Sequence, residues 1–362
     1  MRIGTPKEVK VAEARVGLTP EVAHLLVSRG HQVFVEAGAG AGIGLSDQAY
    51  AAAGATIVPD ADALFETSDL IVKVKEPQPA EIARLAPRHV LFTYLHLAPD
   101  PAQARGLMES GAVCIAYETV TAAGGGLPLL APMSKVAGRM AAQVGAACLL
   151  SPAGGRGLLL GGVPGTPPGE VITLGGGVSG LHAAEVALGL GARVTVFDIS
   201  IPRLDALHAH FGGRVSTRVA TPAAIADAVA GADLVIGCVL APGAAAPRLV
   251  SRADVGRMRK GSVLVDVAID QGGCFETSRP TTHVEPTFEV DGVLHYCVAN
   301  MPGAAPLTST QALTAATAPF VAALADKGWR QATCDDPHLA AGLNVVDGRI
   351  VHPAVREALG FH

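Results

Sequence analysis

The chain has 362 residues, 49% hydrophobic and 16% charged, which is enough apolar material for two cores and argues against a disordered chain. Lys and Arg number 27 against 32 Asp and Glu, a formal net charge of −5. That balance lacks the basic footprint a phosphate backbone demands, so no nucleic-acid partner is expected.

The first 120 residues alternate short β-branched runs with helical patterns. RIGTP, HQVFVEA, ATIVP, DLIVKVK, HVLFTYLH and AVCIAYE read as strands, and PEVAHLLVSRG, SDQAYAAAG and PDPAQARGLMESG as helices. The last helix has Pro near its start and Gly at its end, the usual asymmetry of caps. A Gly/Pro-rich zone follows at 151–170. The pattern then restarts as a second α/β unit with strands EVITLG, ARVTVFD, VSTRVA, ADLVIGCV and GSVLVDVAID. After about residue 308 the text is helical and ends in a short C-terminal helix. Strands alternating with helices predict parallel sheets covered on both faces.

Six cysteines stand at least 23 residues apart with no CxxC pair, so reduced, buried thiols are expected rather than a zinc or redox motif. MRIGTPKEVK carries charge and proline where a signal peptide needs an apolar run. No unbroken apolar stretch reaches roughly 18 residues. A cytoplasmic protein without a membrane partner is the expectation.

Gly175, Gly177 and Gly180 form G-x-G-x-x-G. In a chain with 43 glycines that spacing alone is weak, and GAGAGIG at 38–44 is a near miss. Context strengthens it. The motif follows EVITL, opens a helix, and has Asp198 at the end of the next strand, 23 residues after Gly175. Gly175 allows the tight turn, Gly177 the approach of a pyrophosphate, and Gly180 close helix–strand packing. The helix start offers free N–H groups to phosphate, and Asp198 suits ribose hydroxyls while opposing a 2′-phosphate. The cofactor expected is NAD.

Ligands in open parallel sheets bind beyond the carboxyl ends of the strands. Arg15 lies after RIGTP, Lys75 ends DLIVKVK, His96 ends HVLFTYLH and Asp270 ends SVLVDVAID. An arginine fork matches a carboxylate, a lysine holds an oxygen, and a histidine moves a proton near neutral pH. Together they suit redox chemistry on a small α-substituted carboxylic acid. His208 and His210, on a charged helix, read as a solvated face.

Several segments, among them GTPKEVKVAEARVGLTP, VKVKEP, LFTYLHLA, LPLLAPMS, GGRGLLLGGVPG, VDVAIDQGGCFETSRPTTH and YCVANMPG, resemble those of L-alanine dehydrogenases, colinearly and over nearly the whole chain. The resemblance implies two Rossmann-like α/β domains, a discontinuous substrate domain (1–129 and 309–362) and an inserted NAD domain (130–308), assembled as a homohexamer. It implies NAD-dependent, reversible deamination of alanine to pyruvate and ammonia. Arg15 and Lys75 would bind the substrate, His96 would carry the proton, and Asp270 would be a second acid/base group. NAD contacts would fall at Ser134, Val178, Ser179, Asp198, Arg203, Val239, Leu240, the run Val267, Ala268, Ile269 and Asp270, Arg279, and the run Val298, Ala299, Asn300 and Met301. Lys135, Ala220, Gln311 and Ala315 depart from the family's usual residues. Lys327 stands where some members carry a histidine that joins Glu118 at a divalent cation, so no metal is expected. The alternatives are another small 2-oxo acid, a transhydrogenase-type subunit, and a silent NAD-binding module. The transhydrogenase reading would need membrane segments here or in a partner and an Arg-rich loop where LAPMS stands. The intact quartet argues against a silent module.

Overall fold

The β-branched runs become strands, shorter than their text suggests. The computed structural model describes residues 1–239 and 246–360. In chain order the strands are β1 (Arg2–Thr5), β2 (Gln32–Glu36), β3 (Thr56–Val58), β4 (Leu70–Val72), β5 (Val90–Thr93) and β6 (Val113–Ala116). They continue as β7 (Glu170–Leu174), β8 (Arg193–Asp198), β9 (Ser216–Val219), β10 (Leu234–Gly237), β11 (Val263–Asp266), β12 (Thr287–Val290) and β13 (Val293–Tyr296), and end with β14 (Leu343–Val346) and β15 (Arg349–Ile350). The chain divides into two compact units, Met1–Met133 with Ala305–His362, and Ser134–Ala304.

The first unit holds a sheet in the order β15-β14-β6-β5-β4-β1-β2-β3. From β3 to β6 every pairing is parallel, whereas β14 runs antiparallel to both β6 and β15. Order reverses between β1 and β4, the place where open α/β sheets leave a ligand crevice. A representative helix is α1 (Pro101–Ser110), in which Asp100 accepts from the Gln103 N–H at 3.0 Å, Pro101 takes the first position and Gly111 ends the helix at φ 69°. Leu64, Ile71, Leu91, Leu107, Cys114 and Val345 lie in this unit's core.

The second unit repeats the arrangement as β12-β13-β11-β10-β7-β8-β9, with its reversal between β7 and β10. Alternate residues of one strand face opposite sides of a sheet. Thus Val171, Val194, Leu234 and Val263 enter one core cluster, while Ile172, Phe197, Val235 and Leu264 enter the other. Burial on both faces is why these strands read as continuous apolar runs.

Three features differ from the sequence expectation. Both sheets carry antiparallel edge strands, in the hairpins β12–β13 and β14–β15, where parallel sheets were expected. These runs are short and each is interrupted by a polar residue, Glu289 in β12, Asn344 in β14 and Arg349 in β15, so their text lacks the apolar signal of a central strand. An 18-residue helix, α2 (Ala131–Cys148), precedes the Gly/Pro-rich zone, and that zone folds back on the two residues that follow the helix through Gly155 N–H to Leu150 O and Leu158 N–H to Leu149 O. The C-terminal helical text forms Pro306–Asp335, broken at Gly328, whose φ of 72° is outside any helix.

Candidate functional site

In the first unit the loop after β1 returns to the end of β4 at Gly17. A Cβ there would lie 2.4 Å from the Val72 carbonyl oxygen and 2.9 Å from Lys73 Cα, so only glycine permits the approach. This contact brings Arg15, two residues before Gly17, to the strand end that leads into Lys75. Arg15 is buried and its fork is engaged by Glu13. Nε donates to Glu13 Oε1 at 2.6 Å, Nη2 donates to Oε2, and Nη1 points at the Met133 sulfur, 3.1 Å away. The two side chains are 2% and 0% exposed.

Lys75 lies beyond β4 rather than in it. Its carbonyl accepts from Thr93 Oγ1 at 2.9 Å, and its ammonium is 3.9 Å from Glu76. Glu76 also pairs with Lys10. Burial works against the Glu76 charge, but Lys75 and Lys10 outweigh it and hold the carboxyl below its ordinary range. Behind Lys75 sits a closed ionic cluster. Glu8 accepts from the Val74 N–H at 2.6 Å, the Lys75 N–H at 3.3 Å and the Lys73 ammonium at 2.8 Å, and Glu81 lies 3.1 Å from that ammonium.

His96 lies three residues past β5, at φ 48°, in the left-handed region that histidine seldom occupies. Two contacts hold it there. Its backbone N–H donates to Glu118 Oε1 at 2.7 Å, and its ring stacks on Tyr94, with planes 3° apart and centroids at 5.7 Å. Tyr94 is anchored in turn by its hydroxyl, which donates to the Leu129 carbonyl at 2.6 Å. Burial pushes the Tyr94 phenol far up, against a smaller downward pull from the Arg15 charge, so it stays a donor. The imidazole itself remains exposed. Arg15, Lys75 and His96 therefore share one edge of one sheet, linked through Thr93 and Tyr94. Glu118 spends its carboxylate on the Leu95 and His96 N–H groups, and Lys327 pairs with Asp335.

In the second unit the glycine turn leads from β7 into α3 (Val178–Gly189). Gly175 has φ 94°, and a Cβ on it would touch Cys238 and Val239 at 3.0 Å. A Cβ on Gly180 would fall 1.8 Å from the Gly175 carbonyl oxygen, which no side chain can tolerate. Gly177 caps α3 without a side-chain hydrogen bond, and a Cβ there meets nothing within 4 Å. The space before the helix start, where Val178 and Ser179 present their N–H groups, is therefore open. Asp198 ends β8 beside this turn and accepts from the Gly176 N–H at 2.7 Å and the Ser200 N–H at 2.8 Å. Ser134 lies one turn before Gly138 in α2, and a Cβ on Gly138 would lie 2.1 Å from the Ser179 carbonyl oxygen. That packing places Ser134 on the face turned to the start of α3.

Asp270 sits in a short 3-10 turn, Ile269–Gln271, four residues past the end of β11, and accepts from the Asn300 N–H at 3.4 Å. Asn300 is itself left-handed at φ 57°. Val267 donates its N–H to the Gly237 carbonyl at 2.9 Å, and Ala268 donates to Asp266 at 3.1 Å. Ile269, Val298 and Met301 are buried, and Ala299 donates its N–H to Thr281 O at 3.2 Å. Arg279 lies over the Phe288 ring at 4.2 Å. Leu240 lies outside the described residues.

Some expectations are corrected here. Lys75, His96 and Asp270 do not end strands; each lies in the loop beyond, because pairing stops at Val72, Thr93 and Asp266. Arg203, one of the expected NAD contacts, leans on the glycine turn itself. It donates to the Gly176 carbonyl and, at 3.3 Å, to the Gly177 carbonyl, clipping the glycine turn. Sequence reasoning missed Glu13, Glu8, Lys73 and Tyr94. Glu13, two residues from Arg15, was the one a charge-pair search could find; the others meet only in the fold. It also missed Asp266, whose buried carboxylate accepts from Ala268 N–H, Cys274 N–H at 2.9 Å and Ser278 Oγ at 2.5 Å, and so shapes the Asp270 loop.

Family models described as the N-terminal and C-terminal domains of alanine dehydrogenase/PNT match residues 4–137 and 141–353. An alanine dehydrogenase of Halomonas elongata is 60% identical over 361 residues, covering 100% of this chain and 97% of that protein. Among solved structures, an L-alanine dehydrogenase superposes with a TM-score of 0.96 at 52% identity, over 99% of each chain. A transhydrogenase from Sinorhizobium meliloti superposes with a TM-score of 0.83 at 27% identity, over 98% of this chain and 100% of the other.

Proposed function

The chain belongs to the alanine dehydrogenase/PNT family, and from that premise we propose how it interconverts L-alanine with pyruvate and ammonia using NAD. The residues present fit the dinucleotide. Open space before α3, an uncapped helix start and a glycine turn bearing a carboxylate make a cradle for a pyrophosphate and a ribose. Asp198 keeps lone pairs for the ribose hydroxyls beyond its two backbone bonds. Bound NAD supplies the hydride acceptor.

The chain's own residues do the rest. Arg15 offers a guanidinium edge to the substrate carboxylate, oriented by Glu13, and Lys75 holds the carboxylate and carbonyl oxygen. Once Cα has lost its hydride, water adds to the iminium, and His96 accepts the hydroxyl proton as the C–N bond of the N-protonated carbinolamine breaks to release ammonia and leave pyruvate; the reverse direction returns that proton. Asp270 is the second acid/base group. The observation that carries this reading is His96, held left-handed by Glu118 and stacked on Tyr94 with its imidazole exposed, at the same sheet edge as Arg15 and Lys75. Strained backbone kept in place by its surroundings is characteristic of working residues.

We place the protein in the cytoplasm as a homohexamer. Free, buried thiols at Cys114, Cys148, Cys238, Cys274 and Cys297 support a reducing compartment. Among the described residues no helix is long and apolar enough to cross a membrane. Light scattering on the purified protein should give six times the chain mass.

NADH oxidation with ammonia across a panel of 2-oxo acids tests the activity. Pyruvate should lead the panel, ahead of acids carrying an aromatic ring or a second charge. If pyruvate ranks among the poorest substrates, the same machinery serves a different 2-oxo acid.

A further inference from the structure

The two cations assigned to the substrate are each matched by a carboxylate of the chain. Glu13 takes two N–H groups of Arg15, and Glu76 stands beside Lys75 and Lys10. A substrate with one carboxylate needs only one net positive partner, and an unmatched pair of cations would favour two. Of the two acids Glu13 is the more effective, because its side chain is 0% exposed whereas Glu76 is 14% exposed. A charge removed from water is little screened by salt and acts through a low effective dielectric. Glu13 also meets the Arg15 fork through both carboxylate oxygens, the strong geometry for such a pair.

We propose that Glu13 is the specificity-determining residue that limits the substrate to a single carboxylate, by matching the Arg15 charge and opposing a second anionic group. The proposal rests on Arg15 and Lys75 being the substrate's anchors. Its consequence concerns charge and not size, so it is separable from pocket volume. Glu13 also orients the Arg15 fork, and losing that orientation weakens every carboxylate alike. A ratio between two ligands of equal shape isolates the charge effect.

Oxamate and oxalate make that ratio, since they have the same number of heavy atoms and nearly the same planar shape but differ by one negative charge. Their dissociation constants are to be measured by calorimetry on the NADH-saturated enzyme. Wild type should bind oxamate more tightly than oxalate, and equal or tighter binding of oxalate overturns the proposal without any variant. In E13Q the oxalate-to-oxamate preference should move toward oxalate by about tenfold or more, the order expected for one unit charge removed several ångströms away at an effective dielectric near 20. E13D keeps the charge and should keep the wild-type ratio. E76Q should shift the ratio in the same direction but less. If both ligands weaken together in E13Q and the ratio stays within about twofold, Glu13 is a structural partner of Arg15 and nothing more. R15M provides the separate control: oxamate binding unchanged by that variant would overturn the assignment of the substrate anchor itself.

Discussion

His96 shows how much one residue depends on its support. A left-handed histidine costs about 1–3 kcal/mol of backbone strain, offset here by the Glu118 hydrogen bond and the Tyr94 stack. His96→Ala should lower turnover by about 10² to 10⁴ while leaving NADH binding largely intact, the range for loss of a general base. Turnover and NADH titration on one preparation check this; normal binding with near wild-type turnover would make the residue structural. Asp198 permits a second prediction. Asp198→Ala should narrow the preference for NAD over NADP by about tenfold or more, because it removes a carboxylate that a 2′-phosphate would face. The Gly176 N–H also loses its partner, so absolute efficiency with NAD should fall too. The measurement is kcat/KM with both coenzymes. Candidate residues such as Arg15 and His96 were legible because their types carry chemistry and they follow strands. Tyr94 was not, since it looks like core, and Glu13, although only two residues from Arg15, reads as a solvated charge until its burial is seen.

The turn between β7 and α3 is decided by what a methyl group would meet. Gly180→Ala would push a Cβ into the Gly175 carbonyl oxygen, so that variant should unfold at clearly lower temperature or be insoluble. Gly177→Ala meets no protein atom. It should therefore leave the melting temperature of the nucleotide-free protein unchanged and weaken NADH by about tenfold or more, since its methyl occupies the approach to the helix start. Equal NADH affinity in wild type and Gly177→Ala would remove the pyrophosphate from that place. A second element-scale contact joins the long C-terminal helix to the segment before β2. Asp326 accepts from Arg29 and from His31 at 2.8 Å, and these partners hold its carboxyl down to about 2. A depressed acid stabilises the fold above its unfolded value, near 4, and loses that contribution as pH falls toward 2. Asp326→Asn should accordingly lower the melting temperature slightly near neutrality, and the difference from wild type should close between about pH 4 and pH 2. A gap that persists at the acid end would mean the ion pair is not its source.

At the scale of the whole molecule the two units differ in how the chain builds them. Ser134–Ala304 is one continuous stretch with its own core on both sheet faces, whereas the other unit needs both chain ends. Leu343 and Val345 of β14 pair with Ile115 and Cys114 of β6. A fragment of residues 131–304 should fold cooperatively and bind NADH, while residues 1–133 alone should aggregate, because losing β14 leaves β6 as an open, apolar edge. Circular dichroism melts and NADH fluorescence on the two fragments decide this.

Much of the fold was determined by local text: alternating strand and helix patterns, Pro and Gly at helix ends, and a glycine turn with an acid at the end of the next strand. These signals are legible because each lies within one or two consecutive elements of the chain, as with Asp100, Pro101 and Gly111 in α1. The edge hairpins were not legible, since β12 and β14 are short and partly polar and are strands only because a neighbour offers its unpaired edge. The same holds for the chemistry. Sequence named Arg15, Lys75 and His96 as types, but only tertiary structure could bury the Glu13–Arg15 pair, enclose Lys73 between Glu8 and Glu81, and lay His96 on Tyr94. Burial and close pairing set the strength of a charge, and both are decided by chain segments that meet far apart in sequence.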